Sequence, residues 1–124
     1  MGLGKTIQVA ITLQYIYRAI GIRGPFLVVG PLSTVENWKR ELEKWTDLNC
    51  IIFRGNEKAR KLIKDTEFYF DKQTNSDGDK IYKFNVVITT EEMIKTESAL
   101  KGIQWQYLVV DEGHRMKVKD EENS

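Results

Sequence analysis

The stretch Met1-Gly2-Leu3-Gly4-Lys5-Thr6 runs straight into the apolar segment Ile7-Gln8-Val9-Ala10-Ile11, and that junction decides the fold. Gly-x-Gly-Lys-Thr is the ending of a phosphate-binding loop. In such a loop the glycines let backbone N–H groups close around phosphate oxygens. The lysine reaches the β- and γ-phosphates, and the threonine hydroxyl ligates Mg²⁺. The helix that starts there turns its positive N-terminal end toward the anion. Gly2, Leu3, Gly4, Lys5 and Thr6 are therefore candidate nucleotide-binding residues, with Thr6 also a candidate Mg²⁺ ligand. A nucleoside triphosphate is the expected ligand. The full pattern, Gly-x-x-x-x-Gly-Lys-[Ser/Thr], would begin before Met1, and its loop hangs from a β-strand that no residue here supplies. The expectation is a chain cut within its own nucleotide site. Taken alone, these residues also suit a glycine turn that caps a helix.

Lys5 to Ile20 reads as a helix apolar nearly all round and largely buried. Gly21 and Gly24 end it. Phe26-Leu27-Val28-Val29-Gly30 is a continuous apolar run, the pattern of a strand buried on both faces of a parallel sheet. Pro31-Leu32-Ser33-Thr34 turns into a second helix, with Ser33 and Glu36 spaced as a capping box. Val35, Trp38, Leu42 and Trp45 form its apolar stripe, and Glu36–Arg40 and Lys39–Glu43 are its i,i+4 pairs. A strand is expected at Leu48–Phe53. A third helix is expected at Glu57–Phe70, with Ala59, Leu62, Ile63 and Phe70 inward and the basic cluster Lys58, Arg60, Lys61 and Lys64 on a solvated face. Lys72–Lys80 (KQTNSDGDK) reads as a surface loop. A strand follows at Ile81–Thr89, a helix at Glu91–Leu100 stopped by Gly102, and a last strand at Trp105–Val110. Alternating helices and strands predict an α/β fold with a mostly parallel sheet and crossover helices, in which ligands collect at the carboxyl ends of the strands.

The last strand ends in Asp111-Glu112. An apolar strand finishing in two carboxylates suits a metal-and-base pair. Asp111 would hold Mg²⁺, and Glu112 would orient and polarise the attacking water. Acidic residues also follow strands as helix caps, but the pairing with Gly-x-Gly-Lys-Thr favours the catalytic reading. His114, the one histidine, stands three residues past Asp111, where it could sense the γ-phosphate; an ordinary loop histidine is the plainer reading.

At 124 residues and 41% hydrophobic, the chain is one globular domain or part of one. A net charge of +1 rules out a global basic field, so any nucleic-acid contact must come from placed residues. The single cysteine, Cys50, excludes an internal disulfide and a Cys-rich zinc site, and a reducing intracellular setting fits. No apolar run reaches transmembrane length. Trp38, Trp45 and Trp105 could stack on bases, but for the first two, core packing on the helix stripe is the better expectation.

MGLGKTIQ, PLSTVENW, ITTEEMI and VVDEGHRMK occur in this order, and they resemble motifs I, Ia, Ib and II of the ATP-dependent chromatin remodellers, the SWI/SNF-type branch of helicase superfamily 2. The segment FYFDKQTNSDGDKIYKFNVVITT is similar to an insertion before motif Ib in the chromodomain-helicase-DNA-binding (CHD) remodellers, especially their kismet-like subgroup. DEGHRMK is closer to the SWI/SNF subgroup, but the insertion weighs more. The resemblance implies a partial N-terminal RecA-like ATP-binding lobe spanning residues 1–124, the first of a two-lobed motor. It implies ATP and Mg²⁺ as cofactors, double-stranded DNA or the nucleosome as partner, and a nuclear location. By the same resemblance Lys5, Asp111, Glu112 and His114 carry the ATPase chemistry, and Ser33, Thr34, Thr89 and Thr90 contact the DNA phosphate backbone. Clustered hydroxyls and a capped helix N-terminus are uncharged phosphate-binding devices, although Ser33 and Thr34 could also simply cap their helix.

Some positions depart from the family. Glu91 stands where an aromatic is usual, and Val118 opens a charged tail in place of a continuing helix. The second lobe carries the arginine fingers in this family, so these residues alone are expected to hydrolyse little or no ATP. Alternatives are a non-catalytic truncated remnant, or the lobe of a repair-type DNA translocase.

Overall fold

Two central strands, each buried along its whole length, organise the molecule. They are β1 (Phe26–Val29) and β5 (Val86–Thr89). The computed structural model describes residues 3–22, 24–74, 80–111 and 116–120. β2 (Cys50–Ile52) flanks β5, and β6 (Tyr107–Asp111) flanks β1. The sheet order is β2-β5-β1-β6-β7, with β7 at Met116–Asp120. The first four strands are parallel, with Val28 opposite both Ile88 and Val109; β7 runs antiparallel to β6. The expected α/β fold is what forms. Val118, expected to open a charged tail, lies instead within β7, which pairs with β6.

Side chains alternate across a strand, so β1 feeds two cores. Phe26 and Val28 join Val86, Ile88 and Val109 under α1 (Leu3–Tyr15) and α2 (Val35–Trp45). Leu27 and Val29 join Ile51 and Val87 on the other face, over Phe53, Phe68, Phe84, Leu100 and Trp105. This second core is strongly aromatic: Phe68 lies 5.7 Å from Phe53 and 5.2 Å from Phe84 between ring centroids.

Several local expectations are corrected. The first helix buries Val9, Ala10, Leu13 and Ile16, but Ile11, Tyr15 and Ile20 are 55–61% exposed, so it is not buried all round. It ends in a π-helical turn, Ile16–Ile20, closed by Gly21 at φ 85°. That left-handed conformation suits glycine. Trp45 leaves the apolar stripe: it is 43% exposed, with the Lys44 ammonium over its ring. The Ser33–Glu36 capping box does not form. Leu32–Thr34 is a 3₁₀ turn, Thr34 is the N-cap but makes no side-chain capping bond to the helix, and Glu36 pairs with Arg54 instead of Arg40. Lys39–Glu43 does form, at 2.9 Å.

The third helix is shorter than expected. α3 spans Glu57–Ile63 and continues as a π turn over Lys64–Phe68, after which Tyr69–Thr74 is strand β3. Leu62 and Ala59 face solvent, and Phe68 enters the core in their place. β3 pairs antiparallel with β4 (Lys80–Tyr82), so the expected loop at Lys72–Lys80 contributes strand at both ends, and the expected long strand from Ile81 is split before β5. Residues 75–79 lie outside the described residues. The expected helix at Glu91–Leu100 is likewise two, α4 (Glu91–Thr96) and α5 (Ser98–Lys101), broken at Glu97.

Glu97 explains part of the basic cluster. Its carboxylate, 12% exposed, meets Lys64 at 3.0 Å and Arg60 at 3.8 Å, tying α3 to the α4–α5 break. Burial works to raise the Glu97 carboxyl, but the Lys64 hydrogen bond and charge, the Ala99 N–H and Arg60 outweigh it and hold it below the ordinary glutamate value. A depressed folded value means stability that is fully present above the unfolded glutamate pKa and is lost as pH falls through the folded one. Glu97→Gln should therefore cost about 2 kcal/mol at pH 7. That difference should shrink as pH drops below about 4. Urea melts of both chains at neutral and acid pH measure it. A difference that does not change with pH would remove the ion pair as its cause.

Burial also decides the state of Cys50. The side chain is buried and unpaired by disulfide, and desolvation, helped by Glu43 and opposed by Lys39, pushes its thiol up to about 12.

Candidate nucleotide and DNA site

The carboxyl ends of β1, β2, β5 and β6 open onto one cleft of about 870 Å³. Gly30, Pro31 and Leu32 line it beyond β1, Arg54 and Gly55 beyond β2, Thr90 and Glu91 beyond β5, and Asp111 at the end of β6. This is the edge where a parallel sheet presents its ligands. The structure thus brings Asp111, the start of the Pro31–Thr34 turn and Thr90 to one place.

Asp111 is 3% exposed, and its Oδ2 accepts a hydrogen bond from the Trp38 indole Nε1–H at 3.0 Å. Gly30 makes room for it. A Cβ on Gly30 would lie 3.0 Å from Thr34 Oγ1, 3.4 Å from Asp111 Cβ and 3.6 Å from Asp111 Oδ2. A side chain there would be tight against the Thr34 hydroxyl and in ordinary contact with Asp111.

The expected DNA-contacting hydroxyls have different environments. Ser33 is exposed in the 3₁₀ turn. Thr34 Oγ1 donates to the Pro31 carbonyl at 2.8 Å. Thr90 caps α4, its Oγ1 accepting from Met93 N–H at 3.4 Å. Thr89 is fully buried and donates its hydroxyl to the Phe53 carbonyl at 2.6 Å. Its side chain is used to join β5 to the end of β2.

Of the expected phosphate-loop residues, Leu3, Gly4, Lys5 and Thr6 lie on the first turn of α1. Leu3 opens the helix, Gly4 and Lys5 are exposed, and Thr6 is 1% exposed. Open space surrounds the position of a Gly4 Cβ. Lys5 belongs to a second cleft, of about 330 Å³, whose walls include Gln8, Thr12, Tyr107 and Val109. Among the described residues, Lys5 and Thr6 are not part of the cleft that Asp111 lines. Gly2, Glu112 and His114 lie outside the described residues.

Among the described residues, no three His, Cys, Asp or Glu side chains cluster as a metal cage. The donors on offer are the Thr6 hydroxyl and the Asp111 carboxylate. Both are hard oxygens, and Mg²⁺ takes few protein ligands, filling its shell with water and phosphate oxygens. The residues fit that ion.

Sequence reasoning missed the Trp38–Asp111 bond and the role of Gly30. The signals were present: a buried indole N–H needs an acceptor, and a glycine at a strand end often marks a close approach. Neither names its partner.

Comparison with known proteins places this geometry. Residues 1–124 match the SNF2-related domain. The human chromodomain-helicase-DNA-binding protein 7 is 47% identical over 118 residues, covering 94% of this chain and 4% of that protein. Human chromodomain-helicase-DNA-binding protein 9 is 44% identical over 121 residues, 97% of this chain and again 4% of the relative. The Sulfolobus solfataricus SWI2/SNF2 ATPase core in complex with dsDNA superposes with a TM-score of 0.62 at 28% identity, over 90% of this chain and 20% of that one. The chain therefore spans a small part of each protein it matches. With the motifs in family order, the parallel sheet of an SNF2 ATPase core and a match along every residue, this chain belongs to the SNF2-related domain family.

Proposed function

We propose that residues 1–124 are part of the N-terminal, RecA-like ATP-binding lobe of a DNA-dependent ATPase that translocates on nucleosomal DNA in the nucleus. The observation that carries this reading is the shared cleft. The buried Asp111 lies there beside Gly30 and the Pro31–Thr34 turn, which supports reading the carboxylate as nucleotide-side and the turn as DNA-side.

Gly2, Leu3, Gly4, Lys5 and Thr6 would hold the triphosphate of ATP, and Thr6 and Asp111 would hold Mg²⁺. When bound, the ion withdraws charge from the β- and γ-phosphates. Lys5 contributes a cation on an exposed four-carbon stem at the helix start. Glu112 orients and polarises the water, and His114 couples nucleotide state to movement, both by family likeness. Ser33, Thr34 and Thr90 offer hydroxyls to the DNA backbone, and Thr89 supports them from inside the sheet. Turnover by these residues alone is slow, because the partner lobe supplies arginine fingers that are worth about 10³–10⁵ in rate.

Calorimetric titration with Mg·ATP tests the nucleotide reading. The unaltered chain should bind it, and Lys5→Ala should weaken binding by about 10- to 100-fold with the fold unchanged by circular dichroism. Equal affinity in both chains would remove Lys5 from the site.

A further inference from the structure

Two buried tryptophans solve the same problem in different ways. Trp105, in the aromatic core, donates its Nε1–H to the Leu100 carbonyl at 3.0 Å, five residues away. Trp38 reaches across 73 residues of sequence, from one turn inside α2 to the Asp111 carboxylate at the end of β6. Packing alone asks only that the N–H find an acceptor. A carboxylate is a stronger one than a carbonyl, and the bond fixes how that carboxylate is turned.

The surroundings reinforce the restraint. Trp38 is 1% exposed and Asp111 is 3% exposed, so water does not compete freely for the bond. On the other side the Gly30 backbone approaches closely enough that a Cβ there would touch Asp111. The carboxylate is therefore held between a strand end and an indole. Trp38 is fixed in turn, since α2 packs on α1 and the sheet through Val35, Trp38 and Leu42.

We propose that Trp38 is a positioning residue for the Mg²⁺ site: its N–H sets the orientation in which Asp111 is presented to the cation. This rests on the reading of Asp111 as a Mg²⁺ ligand given above. Groups that hold a ligand's orientation change metal affinity by about 10- to 100-fold when removed. Trp38 does so from the helix that leaves the Pro31–Thr34 turn, so the Mg²⁺ ligand and the DNA-side turn share one rigid support.

The test uses the ¹⁵N-labelled chain, whose three indole N–H signals are assigned by single Trp→Phe substitutions. MgCl₂ is titrated into protein saturated with ATP. The Trp38 indole signal should move and the Trp105 signal should stay. Trp38→Phe, which keeps an aromatic ring and loses the donor, should bind Mg²⁺-free ATP within about twofold of the unaltered chain and need roughly tenfold more Mg²⁺ for half-saturation. An unmoved Trp38 signal while Mg²⁺ tightens ATP binding overturns the proposal. So does an unchanged Mg²⁺ requirement in Trp38→Phe, or an equal loss of ATP affinity with and without Mg²⁺, which marks a purely structural role. If Trp38→Phe loses its amide dispersion, the indole signal of the unaltered chain decides alone. If the unaltered chain binds no Mg·ATP at all, the proposed function itself falls and this inference falls with it.

Discussion

Asp111→Asn should leave the chain folded and remove most of the effect of Mg²⁺ on ATP binding, a loss of at least about 100-fold in Mg²⁺ affinity. The substitution is nearly isosteric. Its amide oxygen can still accept the Trp38 N–H that Asp111 Oδ2 accepts at 3.0 Å, so the buried indole keeps a partner. What disappears is the negative charge. A hard dication is held by anionic oxygens, and one neutral amide replaces a carboxylate poorly. Mg²⁺-free ATP should bind almost as before, because Lys5 and the α1 N-terminus are untouched. Isothermal titration with and without Mg²⁺ separates these effects. Unaltered Mg²⁺ dependence in a folded Asp111→Asn would take Asp111 out of the metal site.

Phe26→Ala should cost about 3–5 kcal/mol of stability. Small domains hold only about 5–15 kcal/mol in total. Phe26 is fully buried at the start of β1, between the parallel neighbours β5 and β6, with Tyr107 edge-on at 6.1 Å. The centre of the sheet cannot collapse onto the space left, because both adjacent strands are fixed by their ladders. The melting temperature should fall by roughly 15 °C or more. Leu62→Ala is the matched control. Leu62 is 63% exposed, so its loss should stay within about 0.5 kcal/mol. Chemical denaturation of both variants gives the comparison, and a Phe26→Ala cost under about 1 kcal/mol would contradict its place in the core.

The sheet was legible because fully buried parallel strands leave a simple mark. Phe26–Val29, Val86–Thr89 and Tyr107–Asp111 are runs without a polar alternation; the first and last form strands within a residue or two of their expected ends, and the middle one keeps its expected end at Thr89 but starts at Val86 instead of Ile81. The errors fell where local pattern and tertiary setting disagree. Ile11, Tyr15 and Ile20 are apolar but face outward, since composition says how apolar a helix is and not which of its sides meets a neighbour. Ala59 and Leu62 sit at helical spacing with Ile63, yet the face turned to the core is the one that carries Arg60 and Lys64 to Glu97. Long basic side chains can be partly buried along their stems while their heads pair, which no hydrophobic pattern reveals. Lys72–Thr74 and Lys80 read as loop because polar residues can lie in a two-stranded ribbon, where neither face has to be apolar.

By itself, the sequence determined the chemical alphabet of this protein. Gly-x-Gly-Lys-Thr, Pro-Leu-Ser-Thr, Ile-Thr-Thr and Asp-Glu-Gly-His appear in an order that points to one family, and the apolar runs between them require a parallel sheet. Those are properties of residue type and short spacing, which survive without coordinates. Only the tertiary structure decided which of these residues share a space. It placed Asp111 against Gly30 and beneath Trp38, opened the cleft between Pro31, Arg54 and Thr90, and turned the Thr89 hydroxyl inward to Phe53. The reason is physical: adjacent hydroxyls in Thr89-Thr90 are chemically alike, and alternation along a strand end sends one into the sheet and leaves the other to cap a helix.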